Sequence, residues 1–219
     1  MIEILLADLR HADQQRQHWR SLIAQEVLAE PELLASVRLC GVREIVAFAL
    51  GTFVGDIQRF AHPKKLVKYV GPNPAFDDSG ESEWRGGIGG HGHKLLRCLL
   101  IEGTQSSLRG GKSPLARWGR KLLASKGSVT LAVAASARKL TVAVWYLMMG
   151  RWSALEEIAA RLRGKVSKMI SAVGPQGLQS LGKTRQTYRE EICQRLKACR
   201  AYVLDPNKKF VPQPAASPA

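Results

Sequence analysis

Leu39-Cys40-Gly41-Val42-Arg43 lies between two segments with the apolar content of buried helices, and this stretch decides the predicted fold. The helical segment before it runs to about Val37, and the segment after it, Ile45 to about Val54, is strongly apolar. Gly41 permits the backbone conformation that a tight turn needs. Two helices joined by such a turn have the layout of a helix-hairpin-helix. The sequence therefore predicts a mainly α-helical protein with this pair at its centre.

The chemistry of such a hairpin depends on its turn. In helix-hairpin-helix modules, backbone N–H groups around a Gly-hydrophobic-Gly turn point at DNA phosphates and bind the backbone without reading bases. Here Arg43 stands where the second glycine would be, so its charge is a candidate replacement for amide contacts. A tight turn between two core helices remains the equal alternative.

Helices are also predicted on both sides of this pair. An interrupted apolar stripe predicts a packing or pairing helix at the N-terminus, with a break at Pro31. The stripe contains Leu5, Leu9, Trp19, Leu22, Ile23, Val27 and Leu28. Downstream, His62-Pro63 prepares another helix, which ends at Gly71 and carries Lys64, Lys65 and Lys68 on one basic face.

A glycine-rich stretch follows, and we expect a loop there. Gly71-Pro-Asn-Pro-Ala-Phe-Asp-Asp-Ser79-Gly80 precedes Ile88-Gly-Gly-His-Gly-His-Lys-Leu-Leu-Arg97. A serine in a Gly-flanked turn before a basic helix is a plausible nucleophile beside a phosphate, and Lys94 and Arg97, one helical turn apart, can face the same polyanion. An ordinary flexible turn is the bland alternative.

Several polar residues near Ser79 have open roles. Asp77 and Asp78 would repel phosphate, so capping, orientation of the loop and metal binding all remain possible. Arg85, His91, Lys94 and Arg97 are candidates for stabilising charge on phosphate. His91 and His93 have a spacing found in metal sites, but the sequence places no further ligand, so we predict no metal site.

The charge balance favours a polyanionic partner. The chain has 33 Lys and Arg against 18 Asp and Glu, a formal charge of +15. No acidic residue occurs between Gly103 and Leu155, a block with nine basic residues that include Arg138 and Lys139. Nucleic acid is the leading inference. A solvated basic face and a ribosome-associated protein are the alternatives.

Other classes of protein are disfavoured. Four cysteines without a CxxC pair argue against a zinc site and a disulfide framework, and a reduced, cytoplasmic setting fits. Val129 to Met149 has the length of a membrane span, yet Arg138 and Lys139 near its centre would each cost about 2.5–3.5 kcal/mol at mid-bilayer. A buried core helix is predicted instead, with no membrane partner.

Several pieces of the chain together resemble the C-terminal half of transposases of the insertion sequence one-ten family, which includes the one-sixteen and nine-oh-two types. They cover roughly Val37 to Gly150 in the family's order. The pieces are Leu39-Cys-Gly-Val-Arg-Glu-Ile-Val-Ala47, Gly55-Asp-Ile-Gln-Arg-Phe60, Lys65-Leu-Val-Lys-Tyr-Val-Gly-Pro-Asn-Pro74, the Ser79-Gly80 motif and Ala137-Arg-Lys-Leu140.

The resemblance implies specific chemistry. It assigns Ser79 as the nucleophile on a DNA phosphodiester, with Gly80 and Arg85 in the active-site loop. It also implies an element-encoded guide RNA and a homo-oligomer. The family's magnesium is held by four acidic residues (DEDD) of a resolvase-like N-terminal domain, and nothing in Met1 to Val37 can supply that domain. We therefore expect no cofactor in this chain, and a separate DEDD-domain partner if it is active.

These observations give one fold prediction and two functional readings. The fold is mainly α, a helix-hairpin-helix-like helical domain with a Gly-rich loop, preceded by a long linker helix. The predicted units are 1–36, a linker and oligomerisation helix; 37–150, the transposase-like domain; 151–204, a basic helical extension; and 205–219, a disordered tail. The readings are a transposase component whose DNA contacts include Arg43, Lys64, Lys65, His91, Lys94, Arg97, Arg138 and Lys139, and an inactive module that only binds nucleic acid.

Overall fold

Proline, glycine and polar caps divide the chain into helices at the places where the sequence predicts breaks. A computed structural model describes residues 1–72, 74–79, 82–88, 92–150 and 159–198, with only the backbone path for the two strands and for residues 159–160 and 197–198. Its elements are α1 (Ile2–Ala29), α2 (Pro31–Ser36), α3 (Glu44–Val54), α4 (Pro63–Val70), β1 (Pro74–Ser79), β2 (Ser82–Ile88), α5 (Lys94–Gly110), α6 (Pro114–Lys126), α7 (Val129–Met148), α8 (Ala159–Ser180) and α9 (Arg185–Ala198). The mainly α fold is confirmed.

Local capping explains several of these boundaries. At the start of α4, the His62 imidazole accepts a hydrogen bond from the Lys64 amide, and Pro63 occupies the first turn. Gly71 ends the same helix with a φ of 79°, which favours glycine because it has no Cβ. Between α1 and α2, Glu30 is extended with a ψ of 120°, so the break lies at Pro31 as predicted.

One hydrophobic core joins the C-terminal part of α1 to helices α8 and α9. The C-terminal part of α1 packs on α3 and α8, while α4, α5 and α6 pack on α7. Helices α8 and α9 lie within the same core rather than beside it. Their core residues are Val166, Met169, Ile170, Val173, Leu178, Tyr188, Ile192 and Leu196. The segment predicted as a helical extension is thus packed against the hairpin region, and the predicted tail 205–219 lies outside the described residues.

The apolar helix α7 is a core helix. It is long and apolar enough to cross a membrane by length and composition alone, but more than half of its most apolar window is buried inside the fold. Arg138 and Lys139 are exposed on it, and the indole N–H of Trp145 donates to the Phe60 carbonyl oxygen at 2.8 Å. The core-helix prediction is confirmed, and no membrane protein is indicated.

The glycine-rich stretch differs from the open loop that we predicted. Strands β1 and β2 pair antiparallel, with Ser79 opposite Ser82, Phe76 opposite Arg85 and an irregularity between Pro74 and Phe76. Prediction from glycine content missed that aromatic and β-branched residues in these segments favour paired strands. The stretch therefore forms a two-stranded ribbon, which we call the serine ribbon.

Candidate nucleic-acid interface

The hairpin turn between α2 and α3 is buried. Leu39, Cys40 and Val42 have no exposed surface. Gly41 has a φ of 80°, and a Cβ at this position would lie 2.6 Å from the Gly103 carbonyl oxygen of α5, so only glycine fits here. The turn is consequently held against α5 by direct contact of two backbones.

A single lysine from α8 binds the carbonyl groups of this turn. Lys165 Nζ donates to the carbonyl oxygens of Val37 at 2.9 Å, Leu39 at 2.7 Å and Val42 at 2.9 Å. Buried carbonyl groups need a donor, and the turn geometry directs these three away from the helical hydrogen-bond pattern. Lys165 supplies that donor from more than 120 residues away in the sequence.

An ion cluster lies at the N-terminus of α3. The Glu44 side chain is only 2% exposed, and its Oε1 accepts from Arg20 Nη2 at 2.7 Å and from Arg43 Nη2 at 3.2 Å. Burial acts to raise the pKa of Glu44. The hydrogen bonds from its own backbone amide and from Arg20, with the positive charges of Arg43 and Arg20, outweigh burial and hold this pKa below its ordinary value. Arg43, predicted to contact DNA, is thus partnered with a buried carboxylate.

These contacts bear on the two readings of the hairpin turn. Its apolar residues are buried, its carbonyls are bonded to Lys165, and a carboxylate rests at the start of the second helix. All three features are those of a tight turn between core helices. The helix–turn–helix layout is present, and the finer helix-hairpin-helix detail is not confirmed.

The base of the serine ribbon is fixed by His93. Its Nδ1 accepts from the Leu96 amide and caps α5, and its backbone N–H donates to the Tyr69 carbonyl oxygen at 2.8 Å. Its ring centre lies 4.3 Å from that of Phe53. His93 is therefore a helix cap packed among aromatic rings. His91 lies outside the described residues, and within them no group of three or more His, Cys, Asp or Glu side chains could hold a metal ion.

Ser79 lies at the far end of strand β1, where the chain turns towards β2. Ser79 ends β1, and Gly80 lies just outside the described residues. Five residues of extended chain from Pro74 span about 17 Å along the ribbon. Positions 79 and 85 are three pairs apart in the register, and successive pairs alternate between the two faces of a ribbon. Arg85 thus occupies a position on the opposite face from Ser79.

The remaining predicted cations lie on the helices. Lys64 and Lys65 are exposed on α4, Lys94 is exposed at the start of α5, and Arg97 is half-buried. The Lys139 ammonium lies 4.5 Å from the centre of the Trp118 ring, which joins the cations of α7 to those of α6. We name the exposed cations of α4, α6 and α7, other than Arg120, the basic surface. Its members are Lys64, Lys65, Lys68, Arg117, Lys121, Lys126, Arg138 and Lys139.

Sequence reasoning missed that some cations are structural. Arg120 Nη1 donates to the carbonyl oxygens of Leu108 and Gly111 at the end of α5. Arg195 donates to those of Leu28 and Ala29 at the end of α1. No local pattern marks these residues, because each partner is distant in the sequence. The formal charge therefore overstates the positive charge that is available to phosphates.

Comparison with known proteins finds similarity to transposases. Residues 32–117 match the model of the Transposase IS116/IS110/IS902 family.

Two curated transposases are similar to the chain. The chain is 32% identical over 111 residues to the transposase for insertion sequence element IS1111A of Coxiella burnetii. This alignment covers 49% of this chain and 30% of that protein. It is 41% identical over 64 residues to the putative transposase y4qE of Sinorhizobium fredii. This alignment covers 29% of this chain and 16% of that protein. The chain thus spans less than a third of the length of these relatives. No solved structure matches it.

The ion cluster at Glu44 predicts an acid-sensitive fold. A carboxyl group whose pKa is lowered by folding stabilises the protein above its unfolded pKa of 4.5, and this contribution is lost as pH falls through the lower folded value. We expect Glu44→Gln to reduce the free energy of unfolding by about 1–3 kcal/mol at pH 7, measured by urea titration. The difference from wild type should shrink below pH 4.5.

The control is Glu102→Gln, which changes an exposed carboxyl group on α5 and should match wild type throughout. If Glu44→Gln lowers the free energy of unfolding by the same amount at pH 7 and at pH 3, the lowered pKa of Glu44 is contradicted.

Proposed function

We propose that the chain is a DNA-binding component of an insertion-sequence transposase. The observation that carries the proposal is the match of residues 32–117 to a transposase family, in a protein with a basic surface on α4, α6 and α7. Lysine and arginine side chains in this arrangement attract phosphate without reading bases. An element-encoded guide RNA is a second polyanion that the same surface would suit.

The basic surface is suited to a salt-dependent interaction. Arg117 and Lys121 are exposed one turn apart on α6, on either side of Trp118 in the sequence. Lys139 of α7 contacts that Trp118 ring, so cations of two helices come together. No acidic residue occurs on α6 or α7 to offset them. Each cation that neutralises a phosphate releases a counterion.

The salt dependence of binding tests this surface. Removing one phosphate contact should weaken DNA binding and lower the slope of log affinity against log salt by about one unit. We expect this for Lys121→Gln and for Arg138→Gln, measured by fluorescence anisotropy with a duplex carrying an element end. The control Arg16→Gln removes an exposed arginine that already pairs with Asp13 on α1, and its slope should be unchanged. Equal slopes for all three variants would refute the assignment of the surface.

The chemistry that we propose is attack by Ser79 on a DNA phosphodiester. Its Oγ forms a bond to phosphorus, one P–O bond to deoxyribose breaks, the serine proton passes to a base, and the leaving sugar oxygen takes up a proton. A serine hydroxyl needs such a base or a metal ion, plus cations that stabilise the charged transition state. The resemblance of residues 32–117 to the transposase family implies the source of such a metal ion, so we infer that Mg²⁺ is held by acidic residues of a separate DEDD-bearing domain.

The nucleophile is tested by trapping a covalent adduct. Labelled element-end DNA, Mg²⁺, a guide RNA and an added DEDD domain from a related element should yield a protein–DNA adduct on denaturing gels. Ser79→Ala should bind DNA normally and form no adduct. Ser82→Ala, which changes the residue paired with Ser79 in the ribbon, should retain it.

Other results would favour the second reading. If neither wild type nor variants form an adduct while binding stays salt-dependent, the chain is a nucleic-acid-binding module without chemistry. Loss of the adduct in Ser82→Ala but not in Ser79→Ala would move the nucleophile to the other strand.

Helix α1 supports a homo-oligomer in this proposal. Ile2, Leu5 and Leu9 are 75%, 62% and 65% exposed, and their spacing of three and four residues is that of a coiled-coil seam. The face continues to Trp19, which is 60% exposed. A second copy of α1 would cover this stripe.

We expect the double variant Leu5→Glu with Leu9→Glu to lower the molar mass measured by light scattering to that of a monomer, because charges in a seam oppose pairing. Gln14→Glu with Gln17→Glu places the same charges on the opposite side of the helix and should leave the mass unchanged. A wild-type protein that is monomeric at high micromolar concentration would rule out the pairing.

A further inference from the structure

The contact between Lys165 and the hairpin turn has the form of an occupied ion site. Three carbonyl oxygens of a single turn, from Val37, Leu39 and Val42, converge on one nitrogen at 2.7–2.9 Å. An ammonium group carries three N–H donors, and all three of these carbonyl oxygens lie within hydrogen-bond distance of it. We call the three carbonyl groups the carbonyl cradle.

A cradle of backbone carbonyls has a defined chemical preference. Carbonyl oxygens arranged around one point replace the hydration shell of a monovalent cation, as they do in potassium-selective filters. K⁺ and ammonium are similar in size and charge, whereas Li⁺ is smaller and holds its water more tightly. A lysine presents a compact point charge, while the planar guanidinium of arginine presents a fork, so lysine is the side chain that imitates such an ion.

The surroundings of the cradle also suit a cation. Leu39 and Val42 are fully buried, so their carbonyl oxygens have little access to water in the absence of Lys165. The Leu39 carbonyl oxygen also accepts from the Val42 backbone N–H at 3.2 Å, so Lys165 is its second donor. An unpaired buried carbonyl costs about 1–3 kcal/mol, and the carbonyl groups of Val37 and Val42 at the same point would favour a cation of suitable size.

We propose that the carbonyl cradle is a monovalent-cation site that this chain fills with its own Lys165 ammonium. The hairpin turn then carries a fixed cation in place of an exchangeable one. Its conformation depends on α8 and not on the K⁺ concentration. The proposal concerns the turn itself, so it holds whether or not the chain binds DNA.

Removal of the lysine side chain should convert the cradle into an open ion site. In Lys165→Ala, thermal unfolding followed by circular dichroism at constant ionic strength should give a Tm that is at least about 2–4 °C higher in K⁺ or NH₄⁺ than in Li⁺ or N-methylglucamine. The effect should saturate with cation concentration. Wild type should show no such ranking, because its site is filled.

A matched variant separates this effect from a general loss of charge. Lys168 is exposed on α8, one turn beyond Lys165, and Lys168→Ala should behave as wild type in every salt. A Lys165→Ala protein that unfolds at the same temperature in all four salts would overturn the proposal.

A second substitution keeps the test open if Lys165→Ala does not fold. Lys165→Ser leaves room for an ion and supplies one hydroxyl donor to the cradle. The proposal requires K⁺ and NH₄⁺ to stabilise it over Li⁺, and the absence of that preference would again overturn it. Because DNA is absent from these measurements, their failure is distinct from failure of the transposase proposal.

Discussion

Burial of the hairpin turn is the constraint on which the rest of the structure depends. Gly41 must lie against the backbone of Gly103, and this contact removes the neighbouring carbonyls from water. Those carbonyls then need a donor, and Lys165 of α8 supplies it. The consequence is that residues 32–117, which match the transposase family, are completed by a helix that begins at Ala159. The family segment and the C-terminal helices form one core.

The same constraint changes how the positive charge of the chain is understood. A chain with 33 basic and 18 acidic residues has too few carboxylates to pair each cation with one of its own. Arg120, Arg195 and Lys165 instead donate to carbonyl oxygens at helix ends and turns, where the last carbonyls of a helix lack partners. These residues stabilise the fold and are not available to phosphates. The basic surface of α4, α6 and α7 is therefore one part of the exposed positive charge, beside exposed cations such as Lys94 on α5 and Lys168 on α8.

Local sequence signals predicted the helices and their boundaries. The roles of individual side chains depend on contacts between distant parts of the sequence, and these could not be predicted. Pro31, the His62-Pro63 pair and Gly71 mark boundaries through backbone geometry that acts within one turn, so these breaks were predictable. The serine ribbon was not predicted, because the glycine content of this stretch indicated a loop more strongly than its aromatic residues indicated a strand. The roles of Glu44 and Lys165 depend on Arg20 and on the turn carbonyls, which are 24 and more than 120 residues away. No local pattern encodes such partners.

The proposed role of Ser79 requires chemical groups that its own strand does not supply. Phosphoryl transfer needs a base, a metal ion or both beside the nucleophile, within hydrogen-bond distance. Ser79 lies at the end of a strand about 17 Å along the ribbon from its base. The capping residue His93 and the cation Lys94 lie at that base. Ser79 follows two acidic residues in the sequence, Asp77 and Asp78. Their carboxylates repel a phosphate unless a cation lies between the carboxylates and the phosphate. A divalent ion held jointly with carboxylates from another domain would satisfy both requirements at once, and the proposed transposase chemistry therefore includes such an ion.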